Sequence, residues 1–337
     1  MEADFKSILE MQTLLPEDYL ELLGTIKHTR LEGAIMEHEA NQVLFYDVSS
    51  SGDWAPISAL ALRLISRRDN KEKFLVLPEK KNDPSVEILI RHLRRTGSSV
   101  HILKIDDGHL FIDGKIEIKP SAFTPEDRSE AHRDSERLNA IYWGFARHIG
   151  DAFLTLVRDI VIKDWYITQG AKFLWDLDRF VINRKERIVF CEIKHKFPDR
   201  AGFFGLNRGS EMQMRQLLNA GLGVVHIILA KPIWNAGQSP MYLYFDRRAR
   251  ESALWLITDF SDTRVDRHNV RDAPHRTSVY GKSPVGVVRI DPGNFSVLGR
   301  NAEPANTVRE RFVATLDGRM SELEPCSLRL LQQTRIG

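Results

Sequence analysis

Four side chains in the stretch WDLDRFVINRKERIVFCEIKHK, residues 175–196, have the types and spacing for chemistry: Asp176, Asp178, Glu192 and Lys194. They lie in two of the most apolar, strand-like segments of the chain. A carboxylate there is costly to bury without a cation or a hydrogen-bond donor beside it. If residues 184–186 form the loop of a hairpin centred on Lys185, Asp178 falls opposite Glu192 and Asp176 opposite Lys194. Side chains alternate along a strand, so the four groups share one face, with opposed Cβ atoms about 4.5–5.5 Å apart. Leu177, Val181, Val189 and Ile193 take the other face, which suits a core. The loop lacks the glycine that tight hairpins favour, and a slip of one residue would scatter the square.

Carboxylates converging beside a lysine suit a hard divalent cation such as Mg²⁺ or Mn²⁺, which takes oxygen ligands and keeps several waters. Asp178 and Glu192, with the backbone carbonyl of Ile193, are the expected ligands, and Asp176 the supporting acid. A water acidified by the metal can attack a phosphodiester, with Lys194 orienting it or neutralising charge on the phosphoryl oxygens. The competing reading is a surface hairpin whose charges form solvated pairs such as Asp176 with Lys194, worth little to stability. Phe180, Ile182, Ile188 and Phe190 make that hairpin too apolar for an exposed face.

Asp178 followed by Glu192-Ile193-Lys194, then SEMQMRQLLNAG and the strand VVHIILAKP, resembles the PD-(D/E)xK, or restriction-endonuclease-like, nuclease superfamily. In that family a helix leads into a hairpin with Asp on one strand and Glu-x-Lys on the next, and a helix and strand follow. The resemblance covers about residues 136–232. It implies a nuclease that hydrolyses DNA or RNA with Mg²⁺ or Mn²⁺, DNA being favoured by the habits of the family. The proline that precedes the first acid in some members is absent. For the acid that many members carry on the leading helix, Asp151 is the first candidate and Glu136 the second.

Downstream of the hairpin, Lys196, Arg200 and Arg208 are candidate phosphate contacts, and Phe197, Phe203 and Phe204 are either base-stacking rings or core. Gln213 is a candidate supporting residue on the following helix, with Gln216 near it, although an ordinary exposed face would explain both. His195 points away from the acids by parity. DRRARES and RVDRHNVRDAPHR, farther on, mix arginines with acids as a solvated surface does.

The elements that must position these groups are legible from periodicity. FKSILEMQTLL and PEDYLELLGTI have helical spacing, APISALALRLISRR reads as an amphipathic helix, and PSVEILIRHLRRTG as a helix stopped at glycine. KFLVLP and SVHILKI read as strands, so residues 41–105 are expected to form a small α/β unit with parallel strands, and DDGHLFIDGKIEIK a hairpin. A long helical stretch, ERLNAIYWGFARHIGDAFLTLVRDIVIKDW, breaks at Gly150, and Ser210 is the expected N-cap of the next helix.

The expected fold class is α/β: a restriction-endonuclease-like core preceded by a small Rossmann-like domain. The expected divisions are residues 1–120 as that N-terminal domain, 121–135 as a linker, 136–270 as the nuclease-like domain and 271–337 as a turn-rich extension. The N-terminal part is faintly similar to Rossmann-like sensor domains fused to nucleases in prokaryotic defence proteins. That similarity implies a small-molecule or protein activator, and a structural or dimerising role fits equally well. No P-loop, dinucleotide fingerprint or serine-nucleophile elbow occurs.

The chain has 337 residues, 28% of them charged, and a net charge of +2, which neither demands nor excludes a nucleic-acid partner. Two distant cysteines, the lack of a signal-peptide core and the shortness of the apolar runs suggest the cytoplasm. Cutting both strands of a duplex needs two sites, so a homodimer is compatible with this reading. The rival function is a non-catalytic binding or assembly protein that uses the same scaffold, with its N-terminal part sensing a ligand.

Overall fold

The hairpin that carries the acids forms in the register read from the sequence: Arg179 lies opposite Cys191, Phe180 opposite Phe190, Val181 opposite Val189 and Ile182 opposite Ile188. The structure is a computed structural model that describes residues 2–14, 22, 26, 28–66, 68–121, 144–168, 171–235, 238–273 and 285–337. In chain order its α-helices of eight or more residues are α1 (Glu2–Leu9), α2 (His28–Ala40), α3 (Pro84–Arg94), α4 (Asp151–Val161), α5 (Arg208–Asn219) and, late in the chain, α6 (Ala305–Leu316). The strands are β1 (Trp54–Pro56), β2 (Ala59–Ser66), β3 (Glu72–Pro78), β4 (Ser99–Asp106), β5 (His109–Ile112), β6 (Ile116–Ile118), β7 (Ala171–Leu177) and β8 (Arg179–Asn183). They continue with β9 (Ile188–Lys196), β10 (Phe204–Asn207), β11 (Gly223–Ala230), β12 (Leu254–Asp259), β13 (Val265–Ala273), β14 (Val285–Ile290) and β15 (Ser296–Arg300).

The fold is α/β with mixed sheets. Among the described residues, one six-stranded sheet runs β1-β8-β9-β11-β12-β15 and a second runs β6-β5-β4-β3-β2-β7, with a three-stranded sheet β10-β14-β13 beside them. In the first sheet, β9 and β11 are parallel, joined through α5, and the hairpin β8–β9 is antiparallel. One face of this sheet packs Phe180, Ile188 and Phe190 against Met214 and Leu217 of α5. The other face packs Val181, Val189, Cys191 and Ile193 with Met36 and Ala40 of α2 and Phe312 of α6. A sheet covered on both faces reads as continuous apolar runs, which is why VVHIILA and RIVFCEI show little alternation.

The second sheet differs from the expected parallel unit. Only β3 and β4 are parallel, connected by α3, while β2–β3, β4–β5 and β5–β6 are antiparallel. ALALRLIS is strand β2 and not the amphipathic helix its leucine spacing suggests. Leu62 and Leu64 enter one core and Ala59 and Ala61 another, so a strand apolar on both faces imitates a helical pattern. The α3 segment matches its reading, with Gly97 at φ +81 shortly after the last turn; the structure adds an N-cap, Asp83, which accepts from the Ser85 N–H.

The halves of the chain exchange strands. β1, from the N-terminal part, pairs with β8 at the edge of the first sheet, whereas β7 leaves the hairpin segment to pair with β2 in the second. Residues beyond 270 contribute β14, β15 and α6 to the packed structure, so the stretch expected as an extension supplies an edge strand and core residues such as Leu298 and Phe312. Most of the expected linker, and Glu136, lie outside the described residues. Gly150 interrupts the long helix as read, at φ +54, between residues 144–149 and α4. No described helix is long and apolar enough to cross a membrane.

Gly209, in the first turn of α5, shows how closely this helix approaches β7. A Cβ there would stand 2.6–2.8 Å from indole atoms of Trp175. Gly209→Ala gains about 1 kcal/mol of helix propensity, but overpacking of this kind costs about 1–3 kcal/mol. The variant is expected to be less stable than the wild type in urea unfolding; equal or greater stability would mean that Trp175 yields freely.

Candidate functional site

Asp178 stands where the chain passes from β7 to β8, between two sheets. Its Oδ2 accepts the Ile193 N–H at 2.7 Å, so a side chain takes the amide that the next rung of the hairpin would otherwise use. The same oxygen lies 3.2 Å from Lys194 Nζ, and Glu192 Oε1 lies 2.9 Å from that ammonium. The Asp178 and Glu192 side chains are only 4% and 3% exposed, whereas Lys194 is 30% exposed. The acids are thus the floor of the site, and the lysine is its accessible part.

Three of the four members of the expected square come together, and Asp176 does not complete it in the expected way. As part of β7 it lies opposite Leu62 in the second sheet, and its Oδ2 pairs with Lys163 Nζ at 3.0 Å instead of with Lys194. The reason is the break at Asp178: once the strand turns away, residues before it no longer follow the parity of β8. Leu177 accordingly joins the core of Phe180 and Phe190, not that of Val181 and Ile193. Asp176 remains close enough for Lys194 to act on it electrostatically. Burial pushes its pKa upward, but Lys163, Arg30 and Lys194 together bring it below the ordinary value.

Two residues that the sequence reading did not single out belong to this cluster. Glu37, on α2, is pushed up to about 7 by burial and by repulsion from Asp178 and Asp176, with Lys163 and Arg179 opposing. Lys163, in the π-helical turn Ile162–Ile167 after α4, is held above the usual lysine range because Asp176, Glu37 and Asp159 outweigh its burial. A second π-helical turn, Asn41–Phe45, follows α2, and Asn41 Oδ1 accepts from Arg179 Nε at 2.9 Å. Such turns inside helices recur at functional sites. Lys163 had a signal of the same kind as the hairpin acids, a cation within the apolar run LVRDIVIKDWYI. Glu37 had none, because several acids in LEGAIMEHEA look alike.

The remaining candidates are dispersed around this centre. Asp151 is the first residue of α4, the helix that leads to Lys163. Gln213 is buried and its Nε2 reaches the Asp176 carbonyl at 3.4 Å, while Gln216 is bonded to Glu72, away from the acids. Ser210 is not the N-cap: α5 starts at Arg208, and the buried Ser210 side chain acts on Glu192 instead, favouring its ionised form. Burial, then repulsion from Asp178, raises Glu192 to about 7 against the pull of Lys194. Arg200 and Arg208 are exposed, Phe204 is core, and Phe197 and Phe203 lie beneath Lys231 and Arg289.

A divalent cation is compatible with this donor set. Among the described residues no three His, Cys, Asp or Glu side chains are gathered to hold a metal alone. Mg²⁺ needs only one or two carboxylates with waters completing the octahedron, and Asp178, Glu192 and the Ile193 carbonyl meet that requirement. A second observation is Asp176 Oδ1, which is buried without a hydrogen-bond partner at the edge of the cluster.

The raised pKa of Glu37 has a testable consequence. Its value in the folded chain, about 7, lies above the ordinary 4.5, so the folded state binds the proton more tightly and stability falls as pH rises between those values. With chelator present, Glu37→Gln should be more stable than the wild type at pH 8, by on the order of 1–2 kcal/mol. That gain should fade below pH 5. A gain independent of pH, measured by urea unfolding, would show that Glu37 is not held in this way. Compared with family models, curated proteins and solved structures, the chain shows no significant match.

Proposed function

We propose that this chain is a metal-dependent nuclease of the PD-(D/E)xK type, hydrolysing phosphodiester bonds in nucleic acid, with DNA favoured over RNA. The observation that carries the reading is the meeting of Asp178 and Glu192 within 3.2 Å of the Lys194 ammonium, on an antiparallel hairpin followed by helix α5 and parallel strand β11. That order of elements is the one the resemblance implies.

Asp178, Glu192 and the Ile193 carbonyl would hold Mg²⁺ or Mn²⁺, which when bound supplies positive charge that acidifies water and stabilises charge developing on the phosphoryl oxygens. The Ile193 amide fixes the Asp178 carboxylate in orientation, and Lys194 holds that of Glu192. Lys194, the accessible member, orients the attacking water or bonds a phosphoryl oxygen once substrate displaces one of its carboxylate contacts. Glu37 supplies a further carboxylate from α2, outside the stretch that the resemblance covers. The Lys163–Asp176 ion pair ties the turn after α4 to β7 beside this cluster.

A second reading is a non-catalytic scaffold, favoured by the extent to which Lys163 and Lys194 already neutralise the acids. Cleavage of supercoiled plasmid, single-stranded DNA and RNA with Mg²⁺ or Mn²⁺ separates the two. The nuclease reading predicts cutting by the wild type, abolition by chelator, and at least a 100-fold loss, of the order found for removing a transition-state donor, in Lys194→Ala and Glu192→Ala. Cutting by all three proteins alike would sink the proposed site. A wild type that neither cuts nor binds Mg²⁺ would favour the scaffold.

A further inference from the structure

Two aromatic rings stand on the strand that runs into the site. Phe173 and Trp175 are two positions apart on β7, so they share a face. Their centroids lie 5.4 Å apart and their planes are inclined by only 32°. β7 is the last strand of the second sheet, paired with β2 alone among the described residues, and both rings are half-buried. Two cations lie over them. The Arg63 guanidinium, opposite Trp175 across the β2 pairing, is 5.7 Å from the indole centre, and it is buried and paired with Glu72. Lys172 Nζ is 5.8 Å from the Phe173 centre, but this side chain is exposed and no described acid lies within ion-pair distance of it.

Helix α5 joins this pair to the acids. A Cβ at Gly209, in its first turn, would stand 2.6 Å from the Trp175 indole, and one turn later Gln213 Nε2 reaches the Asp176 carbonyl at 3.4 Å. Gly209 and Gln213 are four residues apart on one side of the helix, and that side runs along β7 from the ring towards Asp178. Ser210, between them, acts on Glu192. The face of β9 that carries Glu192 and Lys194 also carries Phe190, which packs with Met214 and Leu217 of α5. Rings, acids and lysine therefore border the same helix. Trp175 precedes Asp178 by three residues, a backbone reach of about 10 Å at most. Arg208, exposed at the start of α5, is next to Gly209 in the chain.

The expected stacking rings, Phe197 and Phe203, lie beneath Lys231 and Arg289, whereas this pair precedes the hairpin. Aromatic faces beside the proposed site, with exposed cations at their rim, are the parts from which single-strand binding surfaces are built. A duplex keeps its bases stacked on one another and offers none to a ring. We propose that Phe173 and Trp175 form a stacking platform for an unpaired base next to the scissile position, with Lys172 and Arg208 meeting the adjoining phosphates, and that the substrate is accordingly single-stranded. The proposal rests on the nuclease reading for its substrate class, but it concerns binding and can fail separately.

The test measures binding of labelled oligothymidylate, oligouridylate, an abasic strand of the same length and a duplex to the full chain, in chelator so that no cleavage intervenes. Phe173→Leu should bind the base-bearing single strands at least about fivefold more weakly, the low end of what one stacked base contributes. Its dependence of affinity on salt should stay that of the wild type, because no phosphate contact is lost. Phe173→Tyr, which keeps the ring, should bind as the wild type does, and the abasic strand should not distinguish Phe173→Leu from the wild type. Trp175→Leu should lose affinity in the same way; because Trp175 also packs on α5, its folding is checked by urea unfolding, and Phe173→Leu carries the decision. Phe245→Leu, an exposed ring on another element, should change nothing. Wild-type affinity in Phe173→Leu overturns the platform, as does a loss matched on the abasic strand or by Phe245→Leu, or a wild type that prefers the duplex or binds no strand. Weakened binding in a protein that does not cut with Mg²⁺ upholds the platform and removes the nuclease reading; cutting with affinity untouched by Phe173→Leu does the reverse.

Discussion

A single carboxylate decides where this chain changes sheets. Asp178 takes the Ile193 amide with its side chain, so the backbone is released from the hairpin at that residue and β7 is free to pair with β2. A backbone rung at the same place would have carried the hairpin two residues further and aligned Asp176 with Lys194. The substitution of a side-chain acceptor for a main-chain one keeps a buried donor satisfied. It also anchors the acid rigidly next to Glu192 and Lys194, so the architecture and the candidate chemistry depend on one hydrogen bond.

The electrostatics follow from crowding. Glu37, Asp176, Asp178 and Glu192 approach one another in a mostly dry region, and Lys163 and Lys194 lie among them. Each lysine serves more than one acid, and Glu37 and Glu192, for which burial together with neighbouring acids outweighs the lysines, are pushed up to about 7. A carboxylate poised near neutrality is sensitive to any added cation, because a nearby positive charge restores its ionised form. Such a cluster has an electrostatic use for an external ion even though it is internally paired.

The hairpin was legible in the sequence because its register depends on local facts: two apolar runs, a short charged loop and a period of two. The α/β class, α3 with its glycine stop, and the break at Gly150 were legible for the same reason. What was not legible depended on pairing across long separations. Nothing local distinguishes ALALRLIS as a strand buried on both faces from a helix with one apolar stripe. Nor does any local pattern reveal that Asp176 answers to Lys163 and that Glu37 reaches the cluster from a helix some 140 residues earlier in the chain. The acids were readable as a group, but their partners had to come from the tertiary fold.

The exchange of β1 and β7 between the two large sheets bears on how such a protein can arise and change. A chain built from separable cassettes can gain or lose one by recombination at a linker, and each piece keeps its own sheet. Here a cut between the N-terminal sheet and the hairpin would strip an edge strand from each side, β1 from one and β7 from the other, and expose unpaired backbone at both. The two sheets are therefore inherited together. Because the residue at the crossover is also a candidate metal ligand, drift in the seam between them is constrained by the site as well as by the fold.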